Sequence, residues 1–319
     1  MIVDKSNPEI MVASRNGSTM LIGLNPEAIF VGSDKTVFSK YTSNYIPLKD
    51  GEIIELDLKK RAEFYKASMN RKNTLKSIGP DMGEIPAHPK HPYKFFYEQE
   101  MFEQPEALLK TMGYGSRLSH EMEDCCTLGG LESKKKDIIA IENLVLCGEG
   151  SSFWAATFAL KFFRILEIFN TVSVVQASDA NETDLPKEYA GAVFVSQSGE
   201  TGIVFKLVTF FWNMIKFMWI KLQLARGLGL FTIGCVNGVG SLIASKVDCG
   251  VYLHCGREFA IPATKSFVTQ VVSLLMMAIW MSNRKGHLHK KMLRMELKNA
   301  LRQLPVFFGK LRKIYKKIL

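Results

Sequence analysis

Asn143-Leu144-Val145-Leu146-Cys147 runs directly into Gly148-Glu149-Gly150-Ser151-Ser152, and an apolar helical stretch over 152–169 follows. A short run that is apolar on both sides suits a strand buried on both faces. A Gly/Ser break with a helix behind it reads as the turn between strand and helix in a parallel sheet. The same pattern recurs downstream. Residues 171–175, 191–195, 230–234 and 249–253 read as strands, with helices over 201–226 and 264–281. Strand and helix in alternation predict an α/β domain with a doubly wound parallel sheet, flavodoxin-like and three-layered αβα.

Ligands of such sheets sit at the carboxyl ends of the strands. Three loops there stand out. Gly148-Glu149-Gly150-Ser151-Ser152 places glycines and hydroxyls where a helix starts, which suits a tight turn as well as a binding site. Ser196-Gln197-Ser198-Gly199-Glu200-Thr201 puts three hydroxyls, an amide side chain and free backbone N–H groups around a second helix start. A single Ser would suffice as a helix cap, so this excess of donors suits a phosphate dianion at the positive end of a helix dipole. The third loop runs from Gly256 to Lys265. Thr264 reads as a helix cap, and Lys265 in the first turn opposes the dipole unless an anion compensates it. Arg257 and Lys265 could each steer a phosphate, or both could lie at the surface.

Outward from this core, 9–56 reads as β-rich, with Asn16-Gly17 as a hairpin signal between 10–13 and 20–23. A sheet so small needs something to pack on. Pro/Gly punctuation marks 57–92 as a linker, and helical spacing resumes at 93–111 with Pro105 as a break or a new start. The expected division is 1–58, linker 59–92, α/β domain 93–285, and a basic amphipathic helical segment 286–319. From Arg284 onward twelve Lys/Arg stand against one acid, Glu296, so the net charge of +10 belongs to that segment and not to the folded body. Such a face is most simply solvated. Six cysteines without C-x-x-C spacing predict reduced thiols and no zinc site, hence no metal and a cytoplasmic setting.

These loops, in this order and spacing, resemble the sugar isomerase (SIS) domain of the glutamine–fructose-6-phosphate aminotransferase (isomerizing) family, also called glucosamine-6-phosphate synthases. Ser196 to Thr201 matches the family signature. Val236-Asn237-Gly238-Val239-Gly240-Ser241 resembles its next loop, and Glu258 through Thr264-Lys265-Ser266-Phe267 its last. Glu98 to Pro105 looks like the helix entering its first sugar domain, and Val12 to Ser18 through Gly51-Glu52 like the end of its glutaminase domain. The resemblance implies fructose-6-phosphate as ligand, held by Ser151, Ser152, Ser196, Gln197, Ser198 and Thr201, with Glu258, Ile261 and Lys265 as accessory residues. It implies a homodimer and no cofactor.

Departures from the family pattern are equally specific. The chain begins Met1-Ile2 where the family's nucleophile is an N-terminal Cys, and it stops at Leu319, before the family's second sugar domain. The expectation is therefore a fragment short at both ends that binds the sugar phosphate without turnover. A free-standing SIS sensor acting on a partner is the alternative. Glu149 stands where the family usually shows Cys, and Pro262-Ala263 where it shows Ala-Ser. Residues 209–221 read as an insertion, either an extended helix packing on a partner or a retained intron. Lys206, Lys216 and Lys221 interrupt it well below the ~18 uncharged residues of a membrane span. With no helix-turn-helix or zinc motif either, neither membrane nor nucleic acid is an expected partner.

Overall fold

Five strands pair in parallel throughout: β8 (Asn143–Gly148), β9 (Thr171–Gln176), β10 (Ala190–Ser196), β11 (Phe231–Val236) and β12 (Cys249–Tyr252). This sheet belongs to a computed structural model that describes residues 1–15, 20–32, 37–38, 40–49, 51–69, 76–77, 88–180, 184–186, 188–199, 230–241 and 243–318. The chain divides into two compact units, Met1–His88 and Pro89–Leu319.

In the second unit the strand order is β12-β11-β10-β8-β9. The chain steps outward from β8 to β9, then crosses back to β10 on the other side of β8. Side chains alternate between two cores, as a pleated strand requires. Leu144, Leu146, Val193, Val195, Ile233, Cys235 and Val251 face helices α5 (Ser151–Ile165) and α6 (Lys265–Arg284). Val145, Cys147, Ala192, Phe194 and Val236 face the opposite way, against Leu185, Leu230 and Ile243. The expected doubly wound α/β architecture is therefore present. Residues 201–226, with the insertion 209–221, lie outside the described residues.

Among the described residues, α6 is the one helix long and apolar enough to cross a membrane, and 78% of its apolar window is buried by the protein itself. It is the central helix of the domain core.

Two expectations fail in this unit. Helix α2 (Phe96–Thr111) runs straight through Pro105. A proline inside a helix forfeits one backbone bond, but Phe102, Ala107 and Leu108 on either side are buried in a way that only a continuous helix allows. The C-terminal helix α7 (Lys291–Ile318) is not a solvated segment over its first four turns. Leu293, Leu297, Leu301, Leu304 and Phe308 pack on the core of the α/β unit, and two of its cations are buried. Arg294 donates to Asp124 Oδ2 at 2.5 Å, to Ser282 Oγ at 3.1 Å and to the His287 carbonyl at 2.6 Å. Lys298 donates to the Ser119 carbonyl at 2.7 Å and to the Met122 carbonyl. Three of these acceptors, Ser119, Met122 and Asp124, lie in 113–137, which reads as polar in sequence. That stretch folds as short turns, α3 (Gly129–Glu132) and α4 (Lys135–Ile139), burying Leu118, Cys125, Cys126, Leu128, Leu131 and Ile138.

The first unit holds two antiparallel sheets. One has the order β1-β2-β6 (Ile2–Asp4, Asn7–Ser14, Ile53–Asp57), the other β4-β3-β5-β7 (Ile29–Gly32, Leu21–Leu24, Asn44–Pro47, Lys76–Ser77). The hairpin expected across Asn16-Gly17 does not form: β2 and β3 belong to different sheets, and the turn itself lies outside the described residues. Leu21–Leu24 is buried at every position, so β3 needs cover on both faces. Ile22 and Leu24 meet Ala13 and Leu56 of the other sheet, while Leu21 meets Phe38 and Tyr45. Pairing β2 beside β3 would remove the first of these cores.

Burial raises the cost of the Asp124 carboxylate, yet hydrogen bonds from Arg294 and Asn283 outweigh it and hold the carboxyl below its ordinary range. Its stabilising share is therefore present above about pH 3.8 and lost as pH falls further. Asp124→Ala strands the buried guanidinium and is expected to cost about 3–5 kcal/mol in urea unfolding. Adding Arg294→Met to Asp124→Ala should recover most of that loss. A single-variant cost no larger than that of a surface substitution would refute the account.

Candidate functional site at the carboxyl edge of the sheet

All five strands being parallel, their carboxyl ends share one edge. The reversal of strand order falls between β8 and β10, which is where a doubly wound sheet opens a crevice. The loops 148–152 and 196–199 flank that point. Ser151 is exposed at the first position of α5, and Ser152 behind it is buried. Ser196 is buried at the end of β10, where its Oγ accepts the Gly199 N–H at 3.0 Å and closes the turn. Gln197 and Ser198 are half-buried in that turn. Thr201 lies outside the described residues.

The neighbouring loop fixes this turn by contact. Gly199 has φ +67°, and a Cβ on it would lie 2.0 Å from Ser241 Oγ; one on Gly238 would lie 2.3 Å from the Ser198 carbonyl. Gly199 is required by its positive φ and by the Ser241 side chain against it, Gly238 by the close approach of the Ser198 backbone. Asn237 extends the ties. Its N–H donates to the Gln197 carbonyl at 3.2 Å, its Nδ2 to the Gly256 carbonyl at 2.8 Å, and its Oδ1 accepts the Cys255 N–H at 3.0 Å.

Beyond Gly256 the third loop is held by carboxylates. Glu258 Oε1 accepts the N–H of Thr264 at 2.9 Å and of Ser266 at 3.2 Å, and the Thr264 hydroxyl at 2.9 Å; Ser266 Oγ donates to Oε2. The expected cap by Thr264 is thus corrected: Glu258 caps α6, because a carboxylate satisfies two first-turn amides and the dipole together. Lys265 is buried and donates to Glu103 Oε2 at 2.6 Å. It is a structural ion pair, and the anion its position calls for is supplied from within the protein. Glu100 receives the N–H groups of Phe259 at 2.5 Å and Ala260 at 3.2 Å. Ile261, carried on the loop so held, is fully exposed.

Glu149 also has partners inside the protein. Its carboxylate accepts Gln176 Nε2 at 2.9 Å and the Ser178 N–H at 2.9 Å, tying the end of β8 to the end of β9. The last tie runs from α6 to α5, where Gln270 Nε2 donates to Ser152 Oγ at 3.0 Å. Helix α5, unlike α6, starts with no side-chain cap.

The sequence reading missed Glu100, Glu103, Asn237 and Gln270. The signals were present for three of them: Glu100 and Glu103 are spaced to share a helix face, and Gln270 interrupts an apolar helix. Burial pushes the thiols of Cys126, Cys147, Cys235 and Cys249 up to about 12 and that of Cys255 to about 11, which favours their protonated form. Among the described residues no group of His, Cys, Asp and Glu could hold a metal ion. A concavity of about 420 Å³ lined by Arg164, Glu167 and Asn170 lies at the amino end of β9, away from these loops.

No protein-family model matches the chain. A glutamine–fructose-6-phosphate aminotransferase (isomerizing) from Bacteroides thetaiotaomicron is 27% identical over 99% of this chain and 48% of its own length. A protein from Acanthamoeba polyphaga mimivirus, with the same activity in its name, is 32% identical over 87% of this chain and 42% of its own. The chain is a relative of glutamine–fructose-6-phosphate aminotransferases along nearly its whole length. It spans less than half the length of these curated relatives. The C-terminal domain of the glucosamine–fructose-6-phosphate aminotransferase from Francisella tularensis superimposes with a TM-score of 0.56 at 20% identity, covering 68% of this chain and 55% of that one. The α/β unit therefore shares its fold with that C-terminal domain.

Burial pushes the Glu100 carboxyl above its ordinary range and the Glu258 carboxylate adds to this, while the Phe259 and Ala260 N–H groups pull the other way. A raised folded-state value means that the group's share of stability is greatest at low pH and declines as pH rises above about 4.5. Glu100→Gln keeps an acceptor for the loop and removes the titration. The melting temperature of this variant minus that of the unsubstituted protein should climb between about pH 4.5 and pH 8. A difference that stays flat or falls would show that the carboxylate is not penalised by its burial.

Proposed function

We propose that the chain binds a phosphorylated open-chain sugar, fructose-6-phosphate first of all, as the corresponding part of a glutamine–fructose-6-phosphate aminotransferase. One observation carries this reading. Of the two described helices that start at the carboxyl edge, α6 already holds its own carboxylate, whereas α5 opens at the switch point with no side-chain cap, beside the turn Ser196–Gly199. A phosphate dianion answers the positive end of the α5 dipole and suits the hydroxyl-rich turn beside it.

In this reading Ser151, Ser152, Gln197, Ser198 and Thr201 donate to the phosphate and sugar hydroxyls. Ser196 sets the turn that presents them. Glu258 and Lys265 serve at one remove by shaping the third loop, and Ile261 is the accessory residue on that loop's surface. The proposal is confined to binding, because the chain matches less than half the length of the relatives that carry the named activity. A homodimer and a cytoplasmic setting come with the family resemblance and belong to the same proposal.

A ligand that binds only the folded state raises its melting temperature, by the equivalent of about 2.7 kcal/mol at a hundred times Kd. Fructose-6-phosphate should raise the melting temperature of the 319-residue protein, and free fructose at the same concentration should not. Ser198→Ala should weaken the effect about tenfold, the worth of one charge-assisted hydrogen bond. Equal shifts with fructose and its phosphate, or none with either, would sink the assignment.

A further inference from the structure

Gln270 is buried on α6, whose core-facing residues further along are chiefly apolar. Helices α6 and α5 approach closely because Ala155, Ala156 and Ala159 line α5. Into this contact Gln270 sends its amide. Nε2 reaches Ser152 Oγ at 3.0 Å, while Oε1 is buried with no hydrogen-bond partner. A buried carbonyl left unsatisfied costs about 1–3 kcal/mol, and Leu or Met would fill the same volume without that cost. Stability alone does not account for a glutamine here.

Its effect on Ser152 does. A hydroxyl has one proton to give and two lone pairs to receive. When Ser152 Oγ accepts the Gln270 N–H, its own proton must go elsewhere, and among the described residues no acceptor takes it. Ser152 lies in the first turn of α5, the uncapped helix at the switch point. With the amide reversed, Ser152 would donate back to Gln270 and have no proton for a ligand.

We propose that Gln270 is a positioning residue that holds the Ser152 hydroxyl as a hydrogen-bond donor aimed at the phosphate of the bound sugar. This rests on the binding reading above and names what orders one of its donors. It also closes the circuit of ties around the carboxyl edge. The β10 loop is joined to the β11 loop by Asn237, that loop to the β12 loop, the β12 loop to α6 by Glu258, and α6 to α5 by Gln270.

The test is a double-mutant cycle read by titration of fructose-6-phosphate, with the melting temperature of each unliganded protein measured alongside. Gln270→Met should melt close to the temperature of the unsubstituted protein, since deleting an unpaired carbonyl offsets the lost bond to Ser152, yet bind about tenfold more weakly. Ser152→Ala should weaken binding by a similar factor, and the double variant should be no weaker than Ser152→Ala alone. Gln270→Met binding as tightly as the unsubstituted protein overturns the proposal, as does a double variant whose losses multiply. If Ser198→Ala and Ser152→Ala weaken binding while Gln270→Met does not, only this inference fails. If none of the three matters, or the unsubstituted protein does not bind, the reading of the site fails with it.

Discussion

Strand β10 is buried at all seven of its residues, Ala190–Ser196, and the rest of the second unit follows from that. A strand covered on both faces has no place along its length for a polar group, so whatever the domain does must happen where the strand ends. Ser196 is the first residue at which the chain can turn polar, and it immediately folds its hydroxyl back onto Gly199. Parallel pairing then collects the ends of all five strands on one edge, and the order β9-β8-β10 opens that edge between β8 and β10. The position of the site is a consequence of burial and topology before any side chain is considered.

Two helix starts at this edge are treated in opposite ways, and the contrast has an electrostatic logic. Each helix presents unpaired N–H groups and about half a positive charge at its amino end. At α6 the protein supplies the anion itself through Glu258, and Glu103 neutralises Lys265, which would otherwise add a cation where the dipole is already positive. Glu100 spends a third carboxylate on the backbone of the same loop. That arrangement fixes the loop and leaves it little capacity for an external anion. Among the described residues no carboxylate plays this part at α5: Glu149 is turned toward Gln176 and Ser178 on the β9 side. The polarity left over at the edge is therefore concentrated at one helix.

Much of this was legible in the sequence. Strands β8, β10 and β11 announce themselves as unbroken apolar runs, because burial on both faces removes the alternation that would make them ambiguous. The loops after them stand out because Gly, Ser and Gln cluster where a plain turn would need fewer polar groups. Contacts between distant segments were not legible. Local propensity made Asn16-Gly17 a hairpin and Pro105 a helix end, and both were overruled by burial that only the folded unit creates: four consecutive buried residues in β3, and an unbroken apolar face on α2. Glu258 lies six residues from the Thr264 amide it caps, outside the short spacings by which caps are recognised. Gln270 and Ser152 are separated by more than a hundred residues.

The basic C-terminal helix shows why net charge is a poor guide to partners in this chain. Counted along the sequence, 284–319 accounts for the whole of the excess positive charge, which invites thoughts of an anionic surface. In the fold, Arg294 and Lys298 are among the most buried large side chains, their donors taken up by Asp124, Ser282 and the backbone carbonyls of 119, 122 and 287. These cations act as buried pins: by taking the Ser119 and Met122 carbonyls and the Asp124 carboxylate they tie the segment 113–137 to the C-terminal helix. That segment leads through α3 and α4 into β8, which ends at the Gly148–Ser152 turn. Charge that looks like a surface property in sequence thus supports the interior on which the site is built. A substitution in this layer that weakens ligand binding has to be judged against its effect on melting before it is assigned to the site.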